Sequence, residues 1–244
     1  IPFEQVSADL EALITETRPV LVHLLDNALS PALLKWLCEN PIPAPWYGFA
    51  RLSEELTRLD FCLALKKSGC LMLKLGLESG DQTVLDRLGK GVELGIAAKA
   101  LENLKKAGIA AYVYLLFGTP TEDLASARQT LDFVVRHHQE IGFLNLAIFN
   151  LPRYGPDAGK METDDFYEGD LSLYRQFRHP LGWDRSKVRH FLDREFKRHP
   201  AVAAILRRDP PLFTSNHAPF FRLEKGKNIS RDPIGLKRTS LLTV

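Results

Sequence analysis

The sequence predicts an α/β protein built around a parallel sheet. Strand-like and helix-like segments alternate along the first two thirds of the 244 residues, and that alternation is typical of a parallel sheet covered by helices. Five apolar runs each end in polar or glycine-rich residues, as expected where the carboxyl ends of parallel strands meet at one edge. Apolar residues make up 45% of the chain and charged residues 25%, values that are typical of a globular protein.

The first elements are a helix, a strand and a second helix. Val6–Ile14 carries a helical pattern, and Val20–Leu25 is a β-branched and leucine-rich run that ends at Asp26. Ser30 then predicts an N-cap, with Pro31 at the first position of a helix that runs to Asn40.

The middle of the chain continues the alternation. Trp46–Ala50 is predicted as a short strand, and Ser53–Ser68 as a helix that stops before a glycine. Leu71–Leu77 follows as a buried strand, and Gln82–Leu88 as a short helix.

The last elements of the alternating region are two strands and two helices. Leu94–Ala107 is predicted as an amphipathic helix and Ile109–Phe117 as a buried strand. Thr121 is predicted to cap a helix that runs to about Gln139, and Phe143–Phe149 is the fifth strand. Residues 171–208 are rich in aromatic and basic side chains, and we predict that they are helical.

A lone carboxylate stands at the carboxyl end of the third predicted strand. Alternation with a period of two places Met72, Lys74, Gly76 and Glu78 on one face, and four leucines on the other. The leucine face is expected to pack under helices, so the mixed face is expected to line an interior. Ligands of parallel α/β folds bind at the carboxyl ends of strands, which makes Glu78 and Ser79 candidate site residues.

Several segments resemble, in order, the strand ends of the radical S-adenosylmethionine (SAM) superfamily. The resemblance covers roughly residues 1–160. The segments are Leu24–Asn27, Gly48–Arg51, Leu75–Gly80 with Lys90 and Gly91, Leu116–Glu122 and Asn150–Pro156.

The resemblance implies a partial (β/α)6 TIM-like barrel over residues 1–160, followed by a mostly helical C-terminal extension over 161–244. In the family, three cysteines of a Cys-x3-Cys-x2-Cys loop hold a [4Fe–4S] cluster that binds SAM, and reduction releases a 5′-deoxyadenosyl radical. This sequence contains no such triad, so metal ligands are expected upstream of Ile1 rather than in this chain. An external electron donor and a small-molecule or peptide substrate are implied. Some larger relatives add a cobalamin domain, which nothing in these residues indicates.

The resemblance also assigns the cofactor-binding candidates. Glu78 with Ser79 and Gly76 would contact SAM at the fourth strand of the family barrel. Arg51 would approach the SAM carboxylate, and Gly118 with Thr119 would approach the adenine. Each has a structural alternative, such as a helix cap at Glu78, a strand-to-helix turn at Gly118 or a surface charge at Arg51.

Four residues are substrate candidates: Lys74, Tyr112, Tyr114 and Asp26. Lys74 would be a buried cation that needs a partner carboxylate, unless its ammonium reaches solvent. Tyr112 and Tyr114 share a strand face and would either contact substrate or pack in a core. Asp26 fits either a site or a common Asp-Asn turn.

Two other functions stay open at this point. One is a degenerate, cluster-free barrel that binds a nucleotide-like ligand or a protein partner. The other is an unrelated (β/α) enzyme in which Lys74 forms a Schiff base. The catalytic residues of the leading interpretation are unknown.

Composition excludes several classes of protein. A net charge of +2 does not indicate a dedicated nucleic-acid surface. Cys38, Cys62 and Cys70 are too few and too irregular for a disulfide framework. No run approaches the ~18 apolar residues that span a bilayer, and nothing resembles a signal peptide, so the expected location is the cytoplasm.

Overall fold

Five parallel strands in sequential order form the main sheet. The structure is a computed structural model, and it describes residues 3–155, 158–165, 167, 169, 171–208 and 218–223. The sheet order is β1-β2-β3-β4-β5, and every neighbouring pair is parallel. The strands are β1 (Val22–Leu29), β2 (Trp46–Ala50), β3 (Cys70–Glu78), β4 (Ala110–Phe117) and β5 (Ile141–Ile148). The predicted α/β fold with the strands of a partial barrel is therefore confirmed.

The first helix precedes β1, the later helices connect successive strands, and together they cover one face of the sheet. They are α1 (Phe3–Thr17), α2 (Pro31–Glu39), α3 (Leu59–Lys67), α4 (Gln82–Arg87), α5 (Leu94–Ala107) and α6 (Leu124–Arg136). The capping signals predict several ends correctly. The Ser30 side chain accepts a hydrogen bond from the Leu33 N–H at the start of α2. Gly108 ends α5 in the left-handed conformation, with φ 75°.

The C-terminal part combines short strands with helices. Its small strands are β6 (Leu151–Pro152), β7 (Thr163–Asp164) and β8 (Tyr174–Phe177), and its helices are α7 (Arg185–Phe191) and α8 (Pro200–Leu206). A π-helical turn, Leu192–Phe196, follows α7 directly. The helical prediction for 171–208 is therefore wrong at β8, which pairs with β6 and β7 in antiparallel fashion.

Two helix predictions need correction. The predicted helix over 53–68 is divided into a 3-10 turn, Glu54–Thr57, and α3. The Asn103 side chain of α5 donates to the Thr57 carbonyl at 2.6 Å, so a tertiary contact occupies this break. Asp123, not Thr121, caps α6 by accepting a hydrogen bond from the Ser126 N–H.

The two faces of the sheet are packed differently. The helix-covered face holds the main hydrophobic core, which includes Leu73, Leu75 and Leu77 of β3. The opposite face carries a smaller cluster around Met72 and Tyr112. Ala218, from a 3-10 turn at Ala218–Arg222, packs into that cluster and covers the amino-terminal ends of the strands. The carboxyl ends lie at the opposite edge.

Candidate functional site

The interior face of the sheet is arranged in layers of paired residues, as the period-two pattern of β3 predicts. Going from the amino to the carboxyl ends of the strands, the first layer is Tyr47, Met72 and Ala110. The second is Phe49, Lys74, Tyr112 and Phe143, and the third is Gly76, Tyr114 and Asn145. Glu78 stands beyond the third layer, at the rim.

Glu78 has a left-handed backbone, with φ 67°, which is uncommon for a residue other than glycine. The Ser79 N–H donates to the Leu77 carbonyl at 2.9 Å, closing a γ-turn around Glu78. The carboxylate lies over Gly76, where an added Cβ would be 2.9 Å from Oε1. Lys90 Nζ is 3.4 Å from the same oxygen. Strained conformations of this kind are concentrated at functional sites.

Ser79 and Gly80 face helix α6 instead of the interior. The fully buried Ser79 hydroxyl is 3.2 Å from Thr130 Oγ1, and the Gly80 N–H donates to the same hydroxyl at 2.9 Å. These contacts fix the start of the loop that carries Glu78. A role for Ser79 in binding SAM stays a prediction.

The loop after β4 is organised around a buried carboxylate, Glu122. Gly118 has φ 75°, and its N–H donates to Glu122 Oε2. Trp183 Nε1 donates to the same oxygen at 2.9 Å. Burial raises the pKa of Glu122 to about 7. Glu122 Oε1 and Thr119 Oγ1 are buried and have no hydrogen-bond partner within the described part of the chain.

His179 connects this loop to the C-terminal part. Its Nδ1 atom accepts hydrogen bonds from the backbone N–H groups of Leu181 and Trp183, both at 3.2 Å. Nε2 therefore carries the proton and donates to the Thr119 carbonyl at 2.9 Å. Burial lowers the pKa of His179, which favours this neutral form. Glu122 lies within the predicted Leu116–Glu122 segment, but no pattern in the sequence marks Glu122, His179 or Trp183 as a site residue, because the three meet only in the folded chain.

A cavity of about 540 Å³ lies beside this loop, at the carboxyl ends of β4 and β5. Aromatic and basic side chains line much of it, including Phe149, Arg175, Phe177, Trp183 and Arg185, with Gly118 at one wall. Such a lining suits a flat ligand with polar substituents.

Lys74 is fully buried on the interior face. Its Nζ atom lies 4.9 Å from the centroid of the Phe49 ring and 5.1 Å from that of Tyr47. Burial lowers the pKa of Lys74 to about 8. Tyr112 and Tyr114 lie beside it, with their ring centroids 5.3 Å apart. The structure thus brings three of the four substrate candidates together, and their roles stay predictions.

Arg51 and Asp26 lie apart from that group. Both are exposed. Arg51 immediately follows β2, as the sequence predicts, whereas β1 continues past Asp26 to Leu29. The pairing of β1 with β2 shifts register between Leu24 and Leu29, so Asp26 lies in an irregular part of the strand.

The three cysteines lie on different elements. Cys62 and Cys70 are buried and Cys38 is half-buried. Burial raises the pKa of Cys62 to about 11, and that of Cys70 further. No group of three or more His, Cys, Asp or Glu side chains suited to a metal occurs among the residues that the structure describes. Within the same residues, no helix is long and apolar enough to cross a membrane.

Comparison with solved structures shows the fold of radical SAM enzymes over about 60% of the chain, at low identity. The radical SAM methyltransferase TsrM from Kitasatospora setae, with cobalamin and a [4Fe–4S] cluster bound, matches with a TM-score of 0.56 and 16% identity. The match covers 66% of this chain and 31% of TsrM. TsrM with its tryptophan substrate and a SAM analogue matches with a TM-score of 0.54 and 17% identity, over 64% and 32% of the two chains.

The chain therefore spans about a third of the length of the enzyme that it matches. No protein-family model matches the sequence, and no curated protein matches it either. The fold, five parallel strands alternating with helices, is consistent with a partial radical SAM barrel.

Proposed function

We propose that the protein is a radical SAM enzyme whose SAM lies across the carboxyl ends of β3 and β4. The observation that carries the proposal is the left-handed backbone at Glu78, which holds a carboxylate over Gly76 at the rim of the barrel. In parallel α/β folds this edge is where ligands bind. The shared fold and the interior aromatic face support the same conclusion.

The residues at this edge fit SAM chemically. A carboxylate such as Glu78 can accept hydrogen bonds from an ammonium or from ribose hydroxyls. The absence of a side chain at Gly76 gives that carboxylate its room. Thr119 Oγ1 and Glu122 Oε1, which are buried without partners among the described residues, can serve the nucleobase end.

The cysteines of the described residues do not fit the iron–sulfur cluster. They lie on α2, α3 and β3, and burial favours the thiol over the thiolate that binds iron. The ligands of the cluster would therefore be residues other than Cys38, Cys62 and Cys70, and we assign no chemical step to these three thiols. TsrM also binds cobalamin, but none of the residues that the structure describes argues for cobalamin here.

When bound and reductively cleaved by an external electron donor, SAM would supply a 5′-deoxyadenosyl radical that abstracts hydrogen from a substrate. The chain's own residues would orient both molecules and exclude water. Glu78 would hold the polar end of SAM, and the β4 loop would hold its adenine. The aromatic side chains of the interior layers would shield the radical from solvent.

The test is reconstitution of the whole protein with iron and sulfide without oxygen. About four irons per chain, together with 5′-deoxyadenosine formed from SAM after reduction, would support the proposal. A protein that takes up no iron would favour the cluster-free binding barrel instead. SAM affinity measured on the same preparation separates a failure of cluster assembly from a failure of the site.

A further inference from the structure

The positive charges of the chain are concentrated in its C-terminal part. Residues 171–208 contain ten Lys and Arg against three Asp and Glu, whereas residues 1–170 contain 16 Lys and Arg against 24 Asp and Glu. The whole-chain net charge of +2 therefore averages two parts of opposite sign. Such a division of charge creates a local positive potential that attracts polyanions.

Most of this charge lies on residues 185–208, which we call the basic segment. The segment runs along β5, the edge strand of the main sheet. Near one end, Arg185 Nη1 donates to Asn150 Oδ1 at 2.6 Å, just beyond the carboxyl end of β5. At the other end, Arg208 Nη1 donates to the carbonyl of Ile141, the first residue of β5, at 3.1 Å. A parallel strand rises about 3.3 Å per residue, so the eight residues of β5 give the basic segment a length of roughly 25 Å.

The arginines of the basic segment are available to a partner. All six are exposed, and none forms an ion pair within the part of the chain that the structure describes. They are Arg185, Arg189, Arg194, Arg198, Arg207 and Arg208. The acidic residues of the segment contact other cations: Asp193 lies 2.7 Å from Lys197, and Glu195 lies 2.8 Å from Arg128 of α6.

The choice of cation favours phosphate groups as the partner. Eight of the ten basic residues in 171–208 are arginines, against seven of the 16 in residues 1–170. The planar guanidinium group binds phosphate oxygens through two parallel hydrogen bonds and is more weakly hydrated than the lysine ammonium group. The basic segment is therefore suited to a partner that presents several phosphates.

The basic segment has no apolar face for a membrane. Its apolar side chains, such as Val188, Phe191 and Phe196, are buried in the main hydrophobic core. All of its exposed residues except Pro200 are polar or charged. A helix that binds a membrane surface inserts an apolar face below the lipid headgroups. The phosphates are therefore better supplied by a nucleic acid than by phospholipids.

An aromatic cavity adjoins the start of the basic segment. The cavity of about 540 Å³ at the carboxyl ends of β4 and β5 is lined by Arg185 together with Phe149, Phe177 and Trp183. The rings of Phe149 and Phe177 meet edge to face, with centroids 5.7 Å apart. Proteins that bind single strands combine a basic groove for the phosphates with aromatic side chains on which bases stack. An acidic polypeptide would have no comparable use for such a cavity.

We infer that the C-terminal part binds a single-stranded nucleic acid. Its phosphates lie along the arginines of the basic segment, and one of its bases enters the aromatic cavity. This inference goes beyond the proposed function and does not depend on it.

The experiment measures the binding of a fluorescently labelled single-stranded RNA of about 12 nucleotides to the whole protein by anisotropy. The titration is repeated between about 50 and 200 mM salt. One variant combines Arg189→Gln, Arg194→Gln and Arg198→Gln. The matched control combines Lys35→Gln, Lys67→Gln and Arg87→Gln, which removes the same charge from exposed positions on α2, α3 and α4. Neither the cluster nor SAM is needed.

Competition identifies the kind of polyanion that the surface prefers. The competitors are polyphosphate, which has no bases, polyglutamate, which has carboxylates instead of phosphates, and vesicles that contain phosphatidylserine. Each is added at the same total charge as unlabelled RNA. RNA is expected to displace the labelled strand better than all three.

The salt dependence should reflect the number of phosphates that the arginines contact. Six contacts at about 0.7 each give a slope of about −4 for the logarithm of the association constant against the logarithm of salt concentration. The arginine variant should bind about tenfold more weakly or worse at low salt, with a slope of about −2. The control variant should bind like the wild-type protein.

Absence of RNA binding at low salt would overturn the inference, and so would equal weakening in the two variants. Displacement of the labelled RNA by polyphosphate, polyglutamate or vesicles as effectively as by RNA would assign the surface to polyanions in general, to an acidic protein or to a membrane, and would also contradict it. The competition uses only the wild-type protein, so it decides the question even if the arginine variant fails to fold.

Discussion

The indole Nε1 of Trp183 donates a 2.9 Å hydrogen bond to Glu122 Oε2, joining residues 61 positions apart. The bond ties the loop after β4 to the segment that leads into α7. Phe191 of α7 packs at the same place, with its ring 5.9 Å from Trp183 and 6.2 Å from Phe117 at the end of β4. The C-terminal part thus packs against the loop after β4, which is proposed to hold adenine, and supports it.

Replacing Trp183 by phenylalanine should destabilise the protein by about 1–3 kcal/mol. Phenylalanine keeps much of the ring packing but removes a hydrogen bond to a buried carboxyl group. Urea unfolding measures the loss. In a Glu122→Leu background the same replacement should cost clearly less, because the acceptor is gone. An equal loss in both backgrounds would show that packing, not the hydrogen bond, is responsible.

Glu122 should make stability depend on pH between about 4.5 and 7. Burial raises its pKa from 4.5 to about 7, so in this interval the folded protein keeps a proton that the unfolded chain releases. Stability therefore falls as pH rises, by on the order of 3 kcal/mol in all, and is constant for this group above the interval. Glu122→Gln should remove that slope from urea unfolding measured across the interval. Parallel pH profiles for the two proteins would contradict the assignment.

Gly80→Ala should destabilise the fold, by roughly 1–3 kcal/mol. An added Cβ would lie 2.6 Å from Thr130 Cα and 2.7 Å from Phe133 Cβ, so the loop after β3 would have to move away from α6. Gly95→Ala in α5 is the matched control, because nothing lies within 4 Å of its Cβ and alanine favours helix. Thermal unfolding should shift in opposite directions for the two variants. A neutral Gly80→Ala would mean that the loop moves freely, which would weaken the case for a preformed site.

Glu78→Gly should stabilise the protein by about 1 kcal/mol. Glycine adopts φ 67° without the strain that a side chain adds, although the contact with Lys90 is lost. Glu11→Gly, at an exposed position within α1, should instead destabilise by a similar amount. Urea unfolding distinguishes the two. A destabilised Glu78→Gly would show that the carboxylate holds the loop together, rather than being held there for a ligand.

Local signals predict much of the sheet and its helices. The bounds of β2 and α5 agree with the sequence-based ones, because apolar periodicity and a terminal glycine define them locally. The break before α3 was not predictable, since it involves Asn103 of α5. The strand β8 was missed because its paired residues lie at least 12 positions away along the chain, so the pairing leaves no local pattern in β8 itself.

The candidate site, too, is predictable from the sequence only in part. The face that carries Met72, Lys74, Gly76 and Glu78 follows from alternation along one strand. The left-handed backbone of Glu78 and the contacts among Glu122, His179 and Trp183 depend on long-range packing. The division into residues 1–160 and 161–244 stays a prediction.

The SAM affinity of Glu78→Gln, measured by calorimetry, decides whether Glu78 belongs to the SAM site. Glutamine keeps the shape of the side chain and removes its charge, and Glu11→Gln in α1 is the surface control. The dissociation constant for SAM is expected to be about 5 to 150 times higher in Glu78→Gln, from the loss of about 1–3 kcal/mol in a hydrogen bond to a charged group, and unchanged in Glu11→Gln. Wild-type affinity in Glu78→Gln would exclude Glu78 from the SAM site and contradict the proposed binding mode.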